Sequence, residues 1–282
     1  MQKISKINLD FTINSGQVFL WDKKGDKWTG VNGEDILIAT QEPFGLTSSS
    51  TKINNFFRED DDLEKILTNI SRDSLIRRTA RRFKGLRLMR QDPFQCYISF
   101  ICSSNSSIPN IKLMLQNLCK KFGTRIEFNR QHFFTFPEVK TLANASVKEL
   151  LSCGLGFRAK YVREASKDVA SGRIDFNLLR KADYKSALKS LKTVYGIGNK
   201  VADCILLFSL DKLEAFPIDR WTQKILLKYY SKIFCDITEK SLTEKKYENL
   251  HEKLLEYFGP YAGYAQQFLF KMERDINKKS WL

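Results

Sequence analysis

The sequence predicts an α+β fold in which a small N-terminal antiparallel β-sheet precedes a larger helical body. The first fifty residues carry alternating apolar positions and short turn signals, which are typical of strands. From Asp60 onward the apolar residues recur at helical spacing, and neither an internal repeat nor a low-complexity linker interrupts them. We therefore expect a β-rich domain over residues 1–86 and a helical core over residues 87–282.

The predicted strands rest on period-two alternation and on two turn signals. The segment KINLDFTI, residues 6–13, has apolar residues at every second position, which predicts a half-buried strand. Aromatic and β-branched residues follow, broken at KGD, residues 24–26, and at Asn32-Gly33, a dipeptide that favours a two-residue hairpin loop. The N-terminal part should therefore form an antiparallel sheet.

The predicted helices begin after acidic residues at positions 60–62, which favour a helix N-terminus. Pro109 lies near the start and Gly123 just past the end of one amphipathic segment. Further helices are predicted over residues 146–153, 158–171, 184–194, 201–210, 220–233, 244–258 and 261–277. No strand is expected after residue 60.

The net charge of +15 in 282 residues indicates an attraction to polyanions. Nucleic acid is the expected partner, although a solvated lysine surface would give the same composition. The apolar runs stop short of the roughly 20 residues that span a bilayer, and the N-terminus lacks the apolar segment of a secretory signal. We expect no membrane partner and an intracellular location, in the cytoplasm or nucleoid, or in the nucleus of a eukaryote.

The six cysteines are scattered through mostly apolar surroundings without a CxxC pair. This pattern predicts reduced, buried thiols and neither disulfides, a zinc site nor an iron–sulfur cluster. We therefore expect no metal and no cofactor. The segment RRTARRFKGLRLMR, residues 77–90, is a basic cluster with seven Lys and Arg side chains. These cations either contact a phosphate backbone or form a solvated helix face.

Residues 184–210 read as a helix, a tight Gly-x-Gly turn and a second helix, which predicts a helix-hairpin-helix unit. Gly196 and Gly198 are able to adopt positive φ and allow close backbone approach. Such a turn presents its N–H groups to a phosphate at the start of the second helix. Lys200 follows Gly198 by two residues, and on this evidence alone it is either a phosphate contact or a nucleophile.

Asp219 follows Lys200 by nineteen residues, and the short helix between them leaves the chain room to return to the same cleft. The dipole at a helix N-terminus and an apolar neighbour both disfavour an ammonium ion, which suits a nucleophilic amine at Lys200. The Asp219 carboxylate would stabilise positive charge that develops on a sugar. Capping of the helix at 220–233 is a second role for Asp219, compatible with the first.

These residues and six ordered sequence blocks resemble the helix-hairpin-helix DNA glycosylase superfamily. The resemblance is closest to the 8-oxoguanine DNA glycosylase branch, which carries an N-terminal β domain, and it extends over nearly the whole chain. The blocks are SGQVFLW at 15–21, FKGLRLMRQDPFQC at 83–96, SFICSSN at 99–105, CGLGFRAKY at 153–161, GIGNKVADC at 196–204 and GPYAGYAQQFLF at 259–270.

The resemblance implies a two-lobed, all-helical core and a bifunctional enzyme that acts as a monomer on double-stranded DNA containing 8-oxoguanine. Such an enzyme flips the damaged base out of the duplex, because its chemistry does not reach a stacked base. By the same resemblance, Lys200 attacks the anomeric carbon and forms a Schiff base, elimination then nicks the strand, and Asp219 supports cleavage of the glycosidic bond.

The resemblance also implies a base pocket. The backbone carbonyl of Gly16 would accept the N–H that distinguishes 8-oxoguanine from guanine, and Gln266 would read the pairing edge of the base. Cys204 and Phe270 would sandwich the ring. Without the resemblance, all four residues would be assigned to packing or to the surface.

On the DNA side, the resemblance implies that Asn105 fills the gap left by the extruded base and that Arg158 contacts the opposite strand. The sequence departs from the family pattern at three positions. Asn110 stands where the family commonly has an arginine, Phe157 where it commonly has a tyrosine wedge, and Trp221 where a histidine is frequent. Because Asn110 lacks the guanidinium fork that clasps a base edge, we expect weak discrimination in favour of cytosine opposite the lesion.

Two alternatives from other classes stay open at the level of sequence. One is a helix-hairpin-helix glycosylase for another damaged base, and the other is a non-catalytic DNA-binding helix-hairpin-helix protein. Enzymes of the endonuclease III type normally carry a C-terminal cluster of four cysteines. Only Cys235 lies beyond Asp219, so that cluster cannot form here.

Overall fold

A four-stranded antiparallel sheet in the order β1-β2-β3-β4 forms the N-terminal part of the computed structural model, as the sequence predicts. The structure describes residues 7–50, 55–234, 237 and 241–277. Asn32 pairs with Asp35, so the loop of the predicted hairpin is Gly33-Glu34, one residue later than Asn32-Gly33. The strands are β1 (Trp21–Lys24), β2 (Lys27–Asn32), β3 (Asp35–Thr40) and β4 (Gly45–Ser48).

The strand predicted over residues 6–13 is wrong, because Leu9–Ile13 forms a short helix, α1. The side chain of Asn8 caps this helix by accepting a hydrogen bond from the backbone N–H of Phe11 at 2.8 Å. Its buried residues are Leu9, Thr12 and Ile13, which have the i, i+3, i+4 spacing of one helix face. An alternating stretch this short fits both the period of a strand and that of a helix, and the Asn8 cap favours the helix. Residue 6 lies outside the described residues.

The helices of the core match the predicted segments and add three that were not predicted: α4, α6 and α9. In chain order they are α2 (Leu63–Ile70), α3 (Ser74–Arg82), α4 (Pro93–Cys102), α5 (Ile108–Phe122), α6 (Val139–Asn144), α7 (Val147–Leu151), α8 (Arg158–Ala170), α9 (Phe176–Lys181), α10 (Tyr184–Lys192), α11 (Asn199–Ser209), α12 (Arg220–Tyr230), α13 (Glu244–Phe258) and α14 (Ala262–Ile276), and a single 3₁₀ turn at Gly259–Tyr261 precedes α14.

The expectation that no strand follows residue 60 is also wrong. Residues 125–134 form a β-hairpin of β5 (Arg125–Phe128) and β6 (Gln131–Phe134). The loop residues Asn129 and Arg130 have φ of 52° and 59°, the backbone of a two-residue hairpin turn. Ile126 and Phe128 alternate with exposed neighbours, so a period-two signal was present in the sequence.

The helix α11 lies at the centre of the helical core, where every residue from Val201 to Ser209 is buried. It packs against α4 and α10. On another side α14 approaches closely at Gly263, where an added Cβ would clash with the side chain of Leu207 on α11. This close packing places α14 beside α11, the helix that carries Lys200 in its first turn.

No helix in the described part of the chain is both long and apolar enough to cross a membrane. The division between a β-rich domain at 1–86 and a helical core at 87–282 stays a prediction.

Candidate active site

The hairpin turn between α10 and α11 uses its two glycines differently. Gly196 has φ of 91° and packs against Tyr161, where an added Cβ would lie 2.7 Å from the ring carbon Cγ. Gly198 has φ of −98°, so of the two glycines only Gly196 adopts the positive φ that both are able to adopt. Within the described part of the chain, an added Cβ at Gly198 would meet no atom within 4 Å, and no side chain caps the start of α11. The N-terminus of α11 therefore has the open backbone N–H groups that bind anions in other proteins.

Lys200 is half-buried in the first turn of α11, and its amine faces α4. Its Nζ donates a hydrogen bond to Oγ of Ser103 at 3.3 Å and lies 5.5 Å from the centroid of the Phe100 ring. The Ser103 hydroxyl in turn donates to the carbonyl of Phe100 at 2.7 Å. Sequence reasoning missed Ser103; the signal was its place in the SFICSSN block directly after α4 ends.

Cys204 follows Lys200 by four residues on α11 and lies on the same helix face. Burial raises the pKa of its thiol to about 12; Lys200 acts on that pKa in the lowering direction and Asp219 in the raising direction. Both groups therefore lie close enough to Cys204 to act on it electrostatically. The fold brings Lys200 and Asp219, nineteen positions apart in the chain, to the surroundings of one thiol.

Asp219 is the N-cap residue of α12, as the sequence predicts, and its Oδ1 accepts a hydrogen bond from the backbone N–H of Thr222 at 2.8 Å. Thr222 also accepts a hydrogen bond at its Oγ1 from the Nε2 of Gln266 at 3.4 Å. Thr222 thus links the carboxylate of Asp219 to the amide of Gln266.

The side-chain oxygen of Gln266, Oε1, is buried and has no hydrogen-bond partner among the residues that the structure describes. A buried acceptor left in this state costs about 1–3 kcal/mol of folding free energy. A bound molecule that donates a hydrogen bond to this oxygen would offset that cost. This oxygen is therefore available to accept a hydrogen bond.

Gly16 and Phe270 are in contact, although they lie at opposite ends of the chain. Gly16 has φ of 89°, and an added Cβ would lie 3.1 Å from Cε1 of Phe270 and 3.1 Å from Nη1 of Arg274. Any side chain at position 16 would therefore be strained both by its backbone and by the Phe270 ring. Phe270 and Gln266 are four residues apart on α14 and share a face.

Gln17, next to Gly16, fixes this segment to the remainder of the fold. Its Nε2 donates to the carbonyl of Arg87 at 2.9 Å, and its Oε1 accepts from the backbone N–H of Met89 at 2.7 Å. From α14, the neighbouring Gln267 donates to the carbonyl of Ser15 at 2.8 Å. These buried hydrogen bonds hold the Gly16 backbone in a fixed position beside α14.

Arg158 is 9% exposed and holds the loop that follows α4. Its Nε donates to the carbonyl of Ser104 at 2.9 Å, its Nη2 donates to the carbonyl of Asn105 at 2.9 Å, and its Nη1 donates to that of Leu155 at 3.4 Å. Asn105 is exposed with φ of 51°, a backbone conformation that is uncommon outside glycine. Arg158 therefore supports the conformation that presents the Asn105 side chain.

The remaining DNA-side candidates are Phe157, Asn110 and Trp221. Phe157 is 54% exposed, with the Arg158 guanidinium 4.3 Å from its ring centroid. Asn110 is exposed near the start of α5, and Trp221 is half-buried on α12. The Nζ of Lys224 lies 4.8 Å from the Trp221 ring.

The basic cluster at residues 77–90 divides into two groups. Two of its cations are buried or half-buried and bind inside the protein: Arg87 donates to the carbonyl of Arg58 at 2.5 Å, and Arg90 forms an ion pair with Asp211 at 2.8 Å. The five that are exposed are Arg77, Arg78, Arg81, Arg82 and Lys84. The cluster is therefore partly structural.

The cysteines within the described residues agree with the prediction of reduced thiols. Cys235 lies outside those residues, and the other five cysteines are buried and free: Cys96, Cys102, Cys119, Cys153 and Cys204. The described part of the chain contains no group of three or more His, Cys, Asp or Glu side chains that could hold a metal ion.

Comparisons with known proteins identify the family of the chain. Residues 2–97 match the 8-oxoguanine DNA glycosylase N-terminal domain, and residues 98–256 match the HhH-GPD superfamily of base excision DNA repair proteins. The N-glycosylase/DNA lyase OGG1 of Arabidopsis thaliana is 30% identical to this chain, over 97% of this chain and 79% of the relative.

Solved structures from Clostridium acetobutylicum have the same fold. The 8-oxoguanine glycosylase/lyase of that organism, bound to double-stranded DNA with cytosine opposite 8-oxoguanine, has a TM-score of 0.85 at 28% identity, over 97% of this chain and 93% of that chain. Its apo form has a TM-score of 0.83 at 29% identity, over 95% of this chain and 93% of that chain. The chain belongs to the HhH-GPD superfamily of base excision DNA repair proteins, in the branch with an 8-oxoguanine DNA glycosylase N-terminal domain, and it is a DNA glycosylase and DNA lyase.

Proposed function

We propose that this enzyme removes 8-oxoguanine from duplex DNA through a Schiff base on Lys200 and then nicks the strand at the abasic site. The observation that carries the proposal is the position of the Lys200 amine, which points at Ser103 beside an open hairpin turn. Asp219 and Lys200 both act on the same thiol, that of Cys204. The DNA-bound 8-oxoguanine glycosylase/lyase of similar fold supports the choice of substrate.

The chemistry begins with extrusion of the damaged nucleotide from the duplex. The neutral amine of Lys200 attacks the anomeric carbon C1′, and the bonding pair of the glycosidic bond leaves with the base, which then takes up a proton. The Asp219 carboxylate stabilises the positive charge that develops on the sugar as this bond breaks.

The lyase step follows from the same covalent link. Loss of the amine protons and opening of the sugar ring give a Schiff base between Lys200 and C1′. Removal of a proton from C2′ then allows the 3′ phosphate to leave by β-elimination, which nicks the strand.

For base recognition we assign Gly16 and Gln266 as the polar contacts and Cys204 and Phe270 as the faces of the pocket. The hydrogen bonds of Gln17 hold the Gly16 carbonyl in place, and the unpartnered Oε1 of Gln266 is free to accept an N–H from a purine. The raised pKa of Cys204 keeps its thiol neutral at physiological pH, so the pocket offers the base an uncharged face.

On the DNA side we assign Phe157 as the wedge, Asn105 as the residue that fills the vacated space, and Gly196 and Gly198 as the phosphate-binding turn. Trp221 is proposed to contact the sugar or phosphate of the lesion strand. These residues are exposed or half-buried and belong to the hairpin, to the loop after α4 and to the starts of α8 and α12.

We further propose a relaxed preference for the base opposite the lesion. Asn110 has no guanidinium, and the Arg158 guanidinium already donates to the carbonyls of Ser104, Asn105 and Leu155. Neither side chain therefore offers a free fork to the edge of an opposing cytosine. The expectations of a monomer and of an intracellular location, where the DNA substrate is found, stay predictions.

Borohydride trapping tests the proposed nucleophile. The protein is incubated with a duplex that contains 8-oxoguanine in the presence of borohydride, which reduces a Schiff base to a stable cross-link. Lys200→Gln should abolish the cross-linked band, whereas Lys185→Gln, at an exposed lysine on α10 that pairs with Glu252, should leave it unchanged. Equal cross-linking by the wild type and Lys200→Gln would overturn the proposal.

A further inference from the structure

Three aromatic rings form a continuous surface between the start of α8 and the hairpin turn. The Phe157 and Tyr161 rings have centroids 5.7 Å apart at 74°, and the Tyr161 and Tyr195 rings have centroids 4.8 Å apart at 85°. Phe157 is 54% exposed and Tyr195 is 64% exposed, whereas Tyr161 between them is half-buried. We call these three residues the aromatic bridge.

The middle ring is fixed by the hairpin itself. Gly196 packs directly on Tyr161, where any added Cβ would lie 2.7 Å from the ring. Tyr195, the residue before Gly196, is exposed at the same turn, and its ring contacts the Tyr161 ring. The proposed chemistry uses neither ring. Tyr161 is the last residue of the quoted block at 153–161, whereas Tyr195 lies just before the block at 196–204.

The environment of the aromatic bridge favours DNA as its occupant. On one side the bridge ends at the proposed wedge, Phe157, and on the other it continues into Gly198 and the open N-terminus of α11, which suits a phosphate. Lys160, next to Tyr161 on α8, is exposed and supplies positive charge beside the rings. A strand that contacts both the wedge and the hairpin would pass close to Tyr195, whose ring contacts that of Tyr161.

We propose that Tyr195, positioned by Tyr161, is a DNA-contacting residue whose ring packs against a base or deoxyribose of the strand beside the flipped nucleotide. Aromatic side chains bind nucleic acid in this way without reading sequence, because every base has a π-face. The inference rests on the proposed function, since it places the lesion strand between Phe157 and the hairpin.

The edge-to-face contacts of Tyr161 with both outer rings give the bridge a second property. The Tyr161 ring contacts the Phe157 ring and the Tyr195 ring. A shift of Phe157 on insertion into the duplex would therefore displace Tyr161, and with it the ring of Tyr195. The two outer contacts therefore depend on each other, and their effects on DNA affinity are non-additive.

The direct test measures the affinity of wild type, Tyr195→Ala and Tyr195→Phe for an undamaged duplex and for a duplex with a stable abasic-site analogue. Tyr195→Ala should weaken binding to the abasic duplex about tenfold, in the range that loss of one stacking contact gives, and Tyr195→Phe should bind like the wild type. The dependence of the affinity on salt should keep its slope in both variants, because no phosphate contact is removed.

The matched control is Leu178→Ala, which truncates a side chain that is 65% exposed on α9, outside the bridge. It should bind both duplexes like the wild type. A loss in Tyr195→Ala no larger than that in Leu178→Ala would overturn the inference, and so would an equal loss in Tyr195→Phe, because a ring contact does not need the hydroxyl.

The coupling is tested by a double-mutant cycle of Phe157→Ala and Tyr195→Ala, repeated in a Tyr161→Leu background. The two losses of affinity should be non-additive with Tyr161 present and additive without it; additivity in both backgrounds would overturn the role of Tyr161. Failure of the proposed function has a different signature. Wild type would then give no borohydride cross-link with the 8-oxoguanine duplex, whereas the affinity comparisons on the other duplexes would still report on Tyr195.

Discussion

The amine of Lys200 lies 3.3 Å from the hydroxyl of Ser103, so the start of α11 meets the end of α4 at the proposed nucleophile. The Ser103 hydroxyl donates its proton to the carbonyl of Phe100, which leaves an oxygen lone pair to accept an N–H from the amine. When the amine nitrogen is neutral and donates an N–H to Ser103, its lone pair points away from the Ser103 oxygen. We therefore expect Ser103 to position the Lys200 amine.

Substitution of Ser103 by alanine should slow the formation of the borohydride-trapped adduct by about two- to tenfold, which corresponds to one hydrogen bond of about 0.5–1.5 kcal/mol. Single-turnover trapping at saturating enzyme measures this rate without a contribution from DNA affinity. Ser103→Thr keeps a hydroxyl and should recover most of the rate. Equal rates in Ser103→Ala and the wild type would show that Ser103 does not position the Lys200 amine.

Asp219 has two roles that substitution separates. Asp219→Asn keeps a side-chain oxygen that accepts the backbone N–H of Thr222, and asparagine caps helices about as well as aspartate. Its melting temperature should therefore stay close to that of the wild type, whereas excision of the base should slow about 10²–10³-fold through loss of the carboxylate charge. Thermal melts and single-turnover excision measure the two effects.

Asp219→Ala serves as the comparison, because it removes both the cap and the charge. It should be as slow as Asp219→Asn and less stable by about 1 kcal/mol. If Asp219→Asn excised the base at the wild-type rate, Asp219 would be a cap and nothing more.

The identity of the base opposite the lesion should have little effect on excision. With 8-oxoguanine opposite C, A, G or T, single-turnover rates should agree within a few-fold. Asn110→Arg should raise the rate opposite C relative to the other three, because a guanidinium at this exposed position would gain a bidentate contact that is worth about 1–3 kcal/mol. A large preference for C in the wild type would contradict this part of the account.

The buried thiol of Cys204 should stay protonated and unreactive up to strongly alkaline pH, since burial raises its pKa from the ordinary 9.0 to about 12. In the unfolded chain the same thiol ionises above about pH 9, so this group lowers the folding stability as pH rises from 9 towards 12 and has no effect below pH 9. Mass spectrometry after iodoacetamide treatment at pH 8 should find Cys204 unmodified in the native protein and modified in urea. Rapid native labelling would contradict the buried, neutral thiol.

The hairpin and the helix boundaries near the site were accessible from sequence because they carry local signals. Gly196 and Gly198 predict the turn, and the pattern before Arg220 predicts the helix that Asp219 caps. The strand predicted over residues 6–13 failed because an eight-residue alternating stretch does not separate the two periods, and the cap at Asn8 was not recognised. The hairpin at 125–134 was overlooked although its alternation was visible.

The contacts between site residues that lie far apart in the sequence could not be predicted from local sequence patterns. Nothing in the neighbourhood of Gly16 indicates contact with Phe270, 254 positions away, and only the family resemblance brought the two residues together. Neither local pattern nor the resemblance indicated that Ser103 lies beside Lys200 or that Arg158 binds the carbonyls of the Asn105 loop. These contacts depend on how helices pack, whereas hydrophobic periodicity reports only which face of each helix is inward.

Identification of the cross-linked residue tests the central claim most directly. After borohydride trapping with an 8-oxoguanine duplex, the adduct is digested with nuclease and protease, and the modified peptide is sequenced by mass spectrometry. The account predicts a single reduced sugar adduct on the Nζ of Lys200. An adduct on another lysine or on the N-terminal amine would contradict it.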